Sequence, residues 1–250
     1  MKRRITLLLL SAVFSLGVSK SKAQDVRGTT QSEHPFSMTV TLNSDQFFGF
    51  YPFFQGSYGL TEKTAFTFYG ILWSGGTGSA WGNWTEFGMG VSLKPSQSLT
   101  VTPQIGVLSG SLLSGLGGAE FGDGIVPNLT IGANTDKFLG ELYGGYYYGL
   151  KHGNPTTLNY LHYWTNGGYK FNNFFAVGAH LEHLRFMGGN NKAEAGNAKD
   201  YYISAGPFVQ FSNPNGTSYA RFHVGPNLAN ESKREVASDS FWKLTLGHTF

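Results

Sequence analysis

Asp239 to Phe250, DSFWKLTLGHTF, alternates apolar and polar side chains up to the last residue of the chain. In an extended strand successive side chains point to opposite faces. Trp242, Leu244, Leu246, His248 and Phe250 therefore share one face, and Phe241, Lys243, Thr245, Gly247 and Thr249 share the other. A strand with no polar tail after it needs a cover for its apolar face and a partner for each edge. A β-barrel closed in lipid supplies both, because in hydrocarbon every backbone N–H and C=O must be bonded strand to strand and an open edge is not tolerated.

The same rhythm continues back along the chain, with the apolar parity taken as lipid-facing. Phe36, Met38, Val40 and Leu42 alternate with Ser37, Thr39 and Thr41; Phe48, Phe50, Phe54 and Tyr58 alternate with Gln55 and Ser57. Phe66, Phe68 and Leu72 mark a third strand. Phe87, Met89, Val91 and Leu93 oppose Glu86, Ser92 and Lys94, and Leu99, Val101, Ile105 and Val107 oppose Thr100, Thr102 and Gln104. Leu129 and Ile131 oppose Asn128 and Thr130; Phe138, Leu142, Tyr146 and Tyr148 oppose Glu141. Aromatic strands follow over Tyr160–Tyr169 and Phe175–Phe186. Tyr201, Ile203, Val209 and Phe211 oppose Ser204 and Gln210, and Ala220, Phe222 and Val224 oppose Tyr219, Arg221 and His223. With the terminal strand this predicts an all-β, antiparallel up-and-down transmembrane barrel of about twelve strands, or ten if the first hairpin, around Asn43–Phe47, is a bulge instead.

The connections give the count independent support. Short turns fall at Thr61–Lys63, Pro95–Ser98, Thr135–Asp136, Asn172–Asn173 and Asn213–Gly216; longer segments fall at Gly75–Asn83, Gly110–Ile125, Gly188–Lys199 and Ala229–Ser238. Short and long largely alternate, as periplasmic turns and external loops do in such barrels. A two-residue turn at Thr135-Asp136 pairs Asn134 with Lys137, and a four-residue turn at Asn213–Gly216 pairs Ser212 with Thr217, lumen with lumen in both cases. At Asn172-Asn173, including Phe174 in the turn sets Glu182 opposite Trp164 and His180 opposite Asn166, which keeps Glu182 out of lipid.

Met1–Ala23 reads as a cleaved secretory signal peptide: Lys2, Arg3 and Arg4, an apolar run over Ile5–Val18, then small residues at Ser21 and Ala23. That run is too short to span a bilayer as a helix. Gln24–Pro35 is a polar periplasmic lead-in, and residues 36–250 form one barrel domain. The full sequence carries 18 Lys+Arg and 15 Asp+Glu, but five basic residues leave with the signal, so the mature balance is 13 against 15, a net of −2. The basic character of the precursor is thus no argument for nucleic acid. There are no cysteines, hence no disulfide framework and no lipid-anchored cysteine. Aromatics at 16%, 35 glycines and only 13% charged residues fit a barrel whose aromatics form interfacial girdles and whose outer wall excludes charge. A soluble β-sandwich would carry more surface charge.

The ending carried by Trp242, Leu244, Leu246 and Phe250 resembles the terminal strand of bacterial outer-membrane β-barrels. That resemblance implies location in the outer membrane, contact with its lipid, and recognition of this strand by the barrel-assembly machinery. The chain also looks like one of the uncharacterised bacterial outer-membrane families, which implies fold and location but no activity.

Catalytic patterns are hard to find. Outer-membrane phospholipases present a His and a Ser two apart on one strand, and His162, His180 and His223 all lack that Ser. There is no Gly-x-Ser-x-Gly elbow and no convincing Asp-His couple or paired carboxylates of the omptin kind. The Gly-rich stretches do not match Gly-x-Gly-x-x-Gly, so no nucleotide or other cofactor is expected. His180, Glu182, His183 and Arg185 form the densest polar cluster in a strand. A metal would need His180, Glu182 and a third ligand such as His162 or His223. The favoured reading is a lumenal hydrogen-bond network with Glu182 paired to Arg221 or Lys243. Glu120 and Asp123 read as solvated loop residues rather than a Ca²⁺ site.

The residues expected to line the lumen are Glu86, Lys94, Gln104, Asn128, Glu141, His180, Glu182, Arg221, His223 and Lys243. Their mixed sign argues against a strong anion or cation selector. The resulting expectation is a monomeric passive channel for small polar solutes. Twelve-stranded nucleoside and oligosaccharide channels share this architecture, an analogy of fold alone. The rival is a plugged structural or adhesive barrel, with Gly110–Ile125 folded inward as the plug. An outer-membrane hydrolase ranks behind both.

Overall fold

A computed structural model of the chain describes residues 36–73, 84–114, 120–150, 156–232 and 234–250. The segments expected to be a signal peptide (Met1–Ala23), a lead-in (Gln24–Pro35) and a loop (Gly75–Asn83) lie outside these residues. Twelve strands are found: β1 Phe36–Asp45, β2 Gly49–Gly59, β3 Thr64–Trp73, β4 Trp84–Ser96, β5 Leu99–Gly110, β6 Glu120–Asn134, β7 Phe138–Gly149, β8 Leu158–Lys170, β9 Phe175–Gly189, β10 Lys199–Ser212, β11 Ser218–Pro226 and β12 Ser240–Thr249. A single helical turn, Lys192–Ala195, lies between β9 and β10. Each strand pairs antiparallel with its sequence neighbours, and β12 closes the barrel on β1 through Thr39↔Thr249 and Leu42↔Leu246. Closure leaves no free edge, which is the condition lipid imposes.

Alternation places the predicted faces as expected over most of the wall. Phe66, Phe87, Met89, Ile105, Leu142 and Leu246 are exposed on the outside, where lipid replaces water. Glu86, Asn128, His180, Glu182, His223 and Lys243 are buried inside. The Asn172–Asn173 turn takes the longer form: Asn172 Oδ1 accepts the N–H groups of Phe174 (2.9 Å) and Phe175 (2.8 Å), and Trp164 pairs with Glu182 and Asn166 with His180.

Two other turns are two residues wider in register than the sequence suggested. Asn134 pairs with Leu139, not Lys137, because Thr135 Oγ1 accepts the Phe138 N–H at 2.9 Å and closes a larger loop. Ser212 pairs with Tyr219, not Thr217, because the Asn213 amide bridges Ser218 N (3.0 Å) and Thr217 Oγ1 (2.8 Å). A shift of two preserves the face of every side chain, so the inside–outside map survives both errors.

The first hairpin is a true turn, not a bulge. Asp45 pairs with Gly49, whose φ of 71° is left-handed, and Asp45 Oδ1 accepts the N–H groups of Phe47 (2.9 Å) and Phe48 (2.6 Å). That turn overturns one face assignment: Phe48, expected in lipid, is 5% exposed inside the barrel. Tyr201 also departs from its expected outward face. A register shift between Asp200 and Tyr202 takes it out of the ladder's alternation, and its ring packs on Phe47 and Tyr160 at the mouth. Finally, the connection expected over Gly110–Ile125 is shorter, since a register shift after Leu108 lets Ser109 pair with Phe121 and Gly110 with Glu120.

Candidate functional site

The lumen has three levels. At the short-turn end lies an open vestibule of about 610 Å³ walled by amides, hydroxyls and a few charges, among them Gln97, Asn134, Lys170 and Gln210. Above it is a narrow chamber of about 90 Å³, room for several waters. Its walls include Gln104, Asn128, His180, His223 and Lys243. Gln55, Thr130, Glu141, Tyr219 and Arg221 line both spaces and mark the passage between them.

The third level is aromatic. Phe48 reaches into the barrel from the β1–β2 turn and packs on Trp73 (4.7 Å between ring centroids), Tyr51 (5.7 Å) and His162 (5.6 Å). Phe47 packs on Tyr201 and Tyr202 at 5.8 and 5.4 Å. From the β5–β6 connection, Leu113 is fully buried in the same layer, and Asp123 holds it there by accepting Leu113 N–H (2.7 Å) and Ser114 O–H (2.5 Å). Val236 joins the layer from the β11–β12 connection. Asp123, read from sequence as a solvated loop residue, is therefore a buried anchor. Part of the Gly110–Ile125 segment, Leu112 to Ser114, does fold inward, while residues 115–119 lie outside the described residues.

Beneath this layer the charges pair off. Glu182 is fully buried and accepts from Lys243 Nζ (2.7 Å), Tyr202 O–H (2.7 Å), His162 Nε2 (2.9 Å) and His180 Nε2 (3.2 Å). Lys243 also sits 5.0 Å from the Trp164 ring. Glu86 is likewise fully buried, accepting Tyr69 O–H (2.6 Å) and Trp73 Nε1–H (3.1 Å). Tyr69 in turn accepts from Asn128 Nδ2 at 2.7 Å. Tyr69 can lie flat against the wall because residues 88 and 106 are glycines: a Cβ at Gly88 would fall 2.1 Å from its ring, and one at Gly106 would fall 2.3 Å from its hydroxyl.

Arg221 spans the passage to Glu141 (Nη1 to Oε2, 3.2 Å), and Gln104 Nε2 donates to Thr67 Oγ1 at 3.0 Å. Of the ten residues expected to line the lumen, nine lie inside the barrel and seven of these line the chamber or the vestibule. Glu86 and Glu182 stand behind other side chains and line neither the chamber nor the vestibule. Lys94 is the exception: it is exposed at the short-turn end of β4, where its backbone N–H meets Lys63 O. Trp242, Leu244, Leu246 and Phe250 all point outward, with Phe250 N–H donating to Met38 O at 2.8 Å.

His180 and Glu182 spend their polar atoms on this network, with His180 Nδ1 2.7 Å from Asn166 Oδ1. Among the described residues no grouping of His, Asp and Glu has the arrangement to hold a metal ion. His183, on the opposite parity, bonds Tyr163 and Asp200 on the outer wall instead. A Ser–His contact invisible to a search within single strands does exist: Ser204 Oγ and His223 Nε2 are 2.8 Å apart across β10 and β11. Ser204 is fully buried and faces neither cavity, so the contact belongs to the wall. The aromatic layer is what sequence reading missed. Its signal was present in Phe50–Phe54, where aromatics occupy both parities of one strand.

A family model described as a family of unknown function (DUF6733) matches residues 1–250. No curated protein matches the sequence. Among solved structures, an outer-membrane channel from Pseudomonas putida F1 is similar with a TM-score of 0.54 and 11% identity, covering 86% of this chain and 95% of that one. The NanC porin (TM-score 0.49, 11% identity, 85% and 98% covered) and the KdgM porin (0.48, 13%, 85% and 99%) were also found. At such identities the likeness to the Pseudomonas channel is one of fold, that of a bacterial outer-membrane β-barrel.

Proposed function

The chain belongs to that family of unknown function, and we propose that it is a narrow passive channel of the bacterial outer membrane for small polar solutes. The observation that carries this reading is adjacency: vestibule and chamber share five side chains, Gln55, Thr130, Glu141, Tyr219 and Arg221, so the two spaces abut from the short-turn end into the barrel. Twelve strands enclose more space than eight, whose interior side chains alone can fill; here the vestibule is walled largely by amides, hydroxyls and a few charges, and the chamber by polar groups set among rings such as Tyr51, Phe53, Trp73 and Trp164. In this reading the short turns face the periplasm, lipid covers the outer face, and the barrel-assembly machinery takes up β12 through Trp242, Leu244, Leu246 and Phe250. The aromatic layer is then the closed state of the external mouth. No catalytic chemistry is needed.

A plugged structural barrel is the second reading, favoured by the depth to which Phe47, Phe48 and Leu113 are inserted. Planar-bilayer recordings separate the two. The channel reading expects small, infrequent conductance steps from the wild type and larger, persistent ones from Phe47→Ala/Phe48→Ala, which removes two rings from the mouth. Silence from both proteins overturns the channel and leaves the plug.

A further inference from the structure

The ion pair in the passage differs from the one beneath the aromatic layer. Glu182 is held by three contacts of 2.7–2.9 Å and has no exposure. Glu141 accepts only long hydrogen bonds, from Arg221 Nη1 (3.2 Å), Trp164 Nε1 (3.3 Å) and Asn166 Nδ2 (3.4 Å), and a third of its side chain is exposed. Arg221 is the better fixed partner. Its guanidinium lies 5.2 Å from the Phe208 ring and 5.4 Å from the Tyr219 ring, and its Nε donates to Gln210 Oε1 at 2.9 Å. Its Nη2 has no hydrogen-bond partner among the described residues. A planar cation stacked on rings, with unused donors beside water, is a preorganised fork for a carboxylate. Glu141 could leave that fork without being stranded, since Trp164 and Asn166 would still donate to it.

We propose that Arg221 is the recognition site for small organic carboxylates, and that Glu141 is a resident carboxylate which the solute displaces. This rests on the channel reading for its route and deepens it by naming the solute class. A carboxylate entering the vestibule passes Lys170, exchanges with Glu141 on Arg221, and meets Lys243 in the chamber. Glu141 is the acid that faces this path; Asp45, Glu86 and Glu182 are buried behind the wall. The chamber's size restricts the solute to a few heavy atoms.

Acetate is the probe, used on the full-length protein in two assays. In detergent, acetate titration changes tryptophan fluorescence saturably where chloride does not, and the change disappears in Arg221→Gln and in Trp164→Phe. In bilayers under a potassium acetate gradient, Arg221→Gln lowers the acetate-to-potassium permeability ratio about tenfold, the loss of one charge-assisted fork, while Glu141→Gln raises it. If Arg221→Gln fails to fold, Arg221→Lys keeps the charge without the fork and gives a partial loss in both assays. An unchanged ratio in a conducting Arg221 variant, or acetate no different from chloride in the titration, overturns the proposal. Saturable acetate binding in a barrel that never conducts leaves the site standing and removes the channel.

Discussion

Glu182 and Lys243 are buried together in the barrel wall, and the energetics of such a pair are asymmetric. Making it gains little over a well-packed apolar substitute, whereas removing one partner leaves a charge without its counterion. Lys243→Met should therefore cost about 3–5 kcal/mol, while Lys243→Met/Glu182→Gln should cost less than the two single changes together. Urea unfolding in micelles, followed by tryptophan fluorescence, measures both; additive costs would mean that the 2.7 Å contact couples nothing. A second residue-scale case concerns space. Gly106→Ala pushes a methyl into Tyr69 and Glu86 and should destabilise by about 1–3 kcal/mol, as overpacking does. Gly167→Ala, with no atom within 4 Å, should be near neutral in the same assay. The facing of Glu182 toward Trp164 was legible in the sequence because only one turn length keeps a carboxylate out of lipid. Gly106 was not legible, since nothing local says that an aromatic ring from β3 will lie across it.

Single strands were read well and the joins between them less so. A strand's face follows from parity, a property of its own residues, and β12 shows it plainly: Phe241, Lys243 and Thr245 are buried while Trp242 and Leu246 are exposed. Register depends on turn hydrogen bonds such as those of Asn213 and Thr135, which can close a loop two residues wider without moving any side chain to the other face. Phe48 and Tyr201 were misassigned for a related reason. A tight turn and a register shift each interrupt the period of two, so extrapolated parity fails at those residues. The map can be tested within single elements. Leu246→Lys puts a charge on the lipid face of β12 and should cost about 2–4 kcal/mol near the midplane, less toward the interface. Thr100→Lys on β5 points into the wide vestibule and should be tolerated. Folding yield into vesicles, read from the heat-modifiable band on gels, compares them; equal yields would contradict the inside–outside assignment.

At the scale of the whole barrel the dominant feature is its difference in filling from end to end. The short-turn half encloses about 610 Å³ of polar vestibule, whereas the long-loop half is packed with Phe48, Tyr51, Trp73, Trp84, Leu113 and Tyr160. Side chains from four strands and from the β1–β2 and β5–β6 connections meet in that packing, so it could not be read from any one element. The absence of cysteine makes the asymmetry measurable, because a single introduced thiol reports one position. Thr130 lies where vestibule and chamber meet. In vesicles carrying the barrel in one orientation, Thr130→Cys should react far faster with a small impermeant thiol reagent added on the short-turn side than on the long-loop side. Adding Phe47→Ala/Phe48→Ala should raise the long-loop rate and leave the short-turn rate unchanged, since those rings stand between Thr130 and the long-loop side alone. Equal rates from both sides in the otherwise unaltered protein would mean that the aromatic layer does not close the mouth, and a long-loop rate indifferent to the two alanines would place the barrier elsewhere.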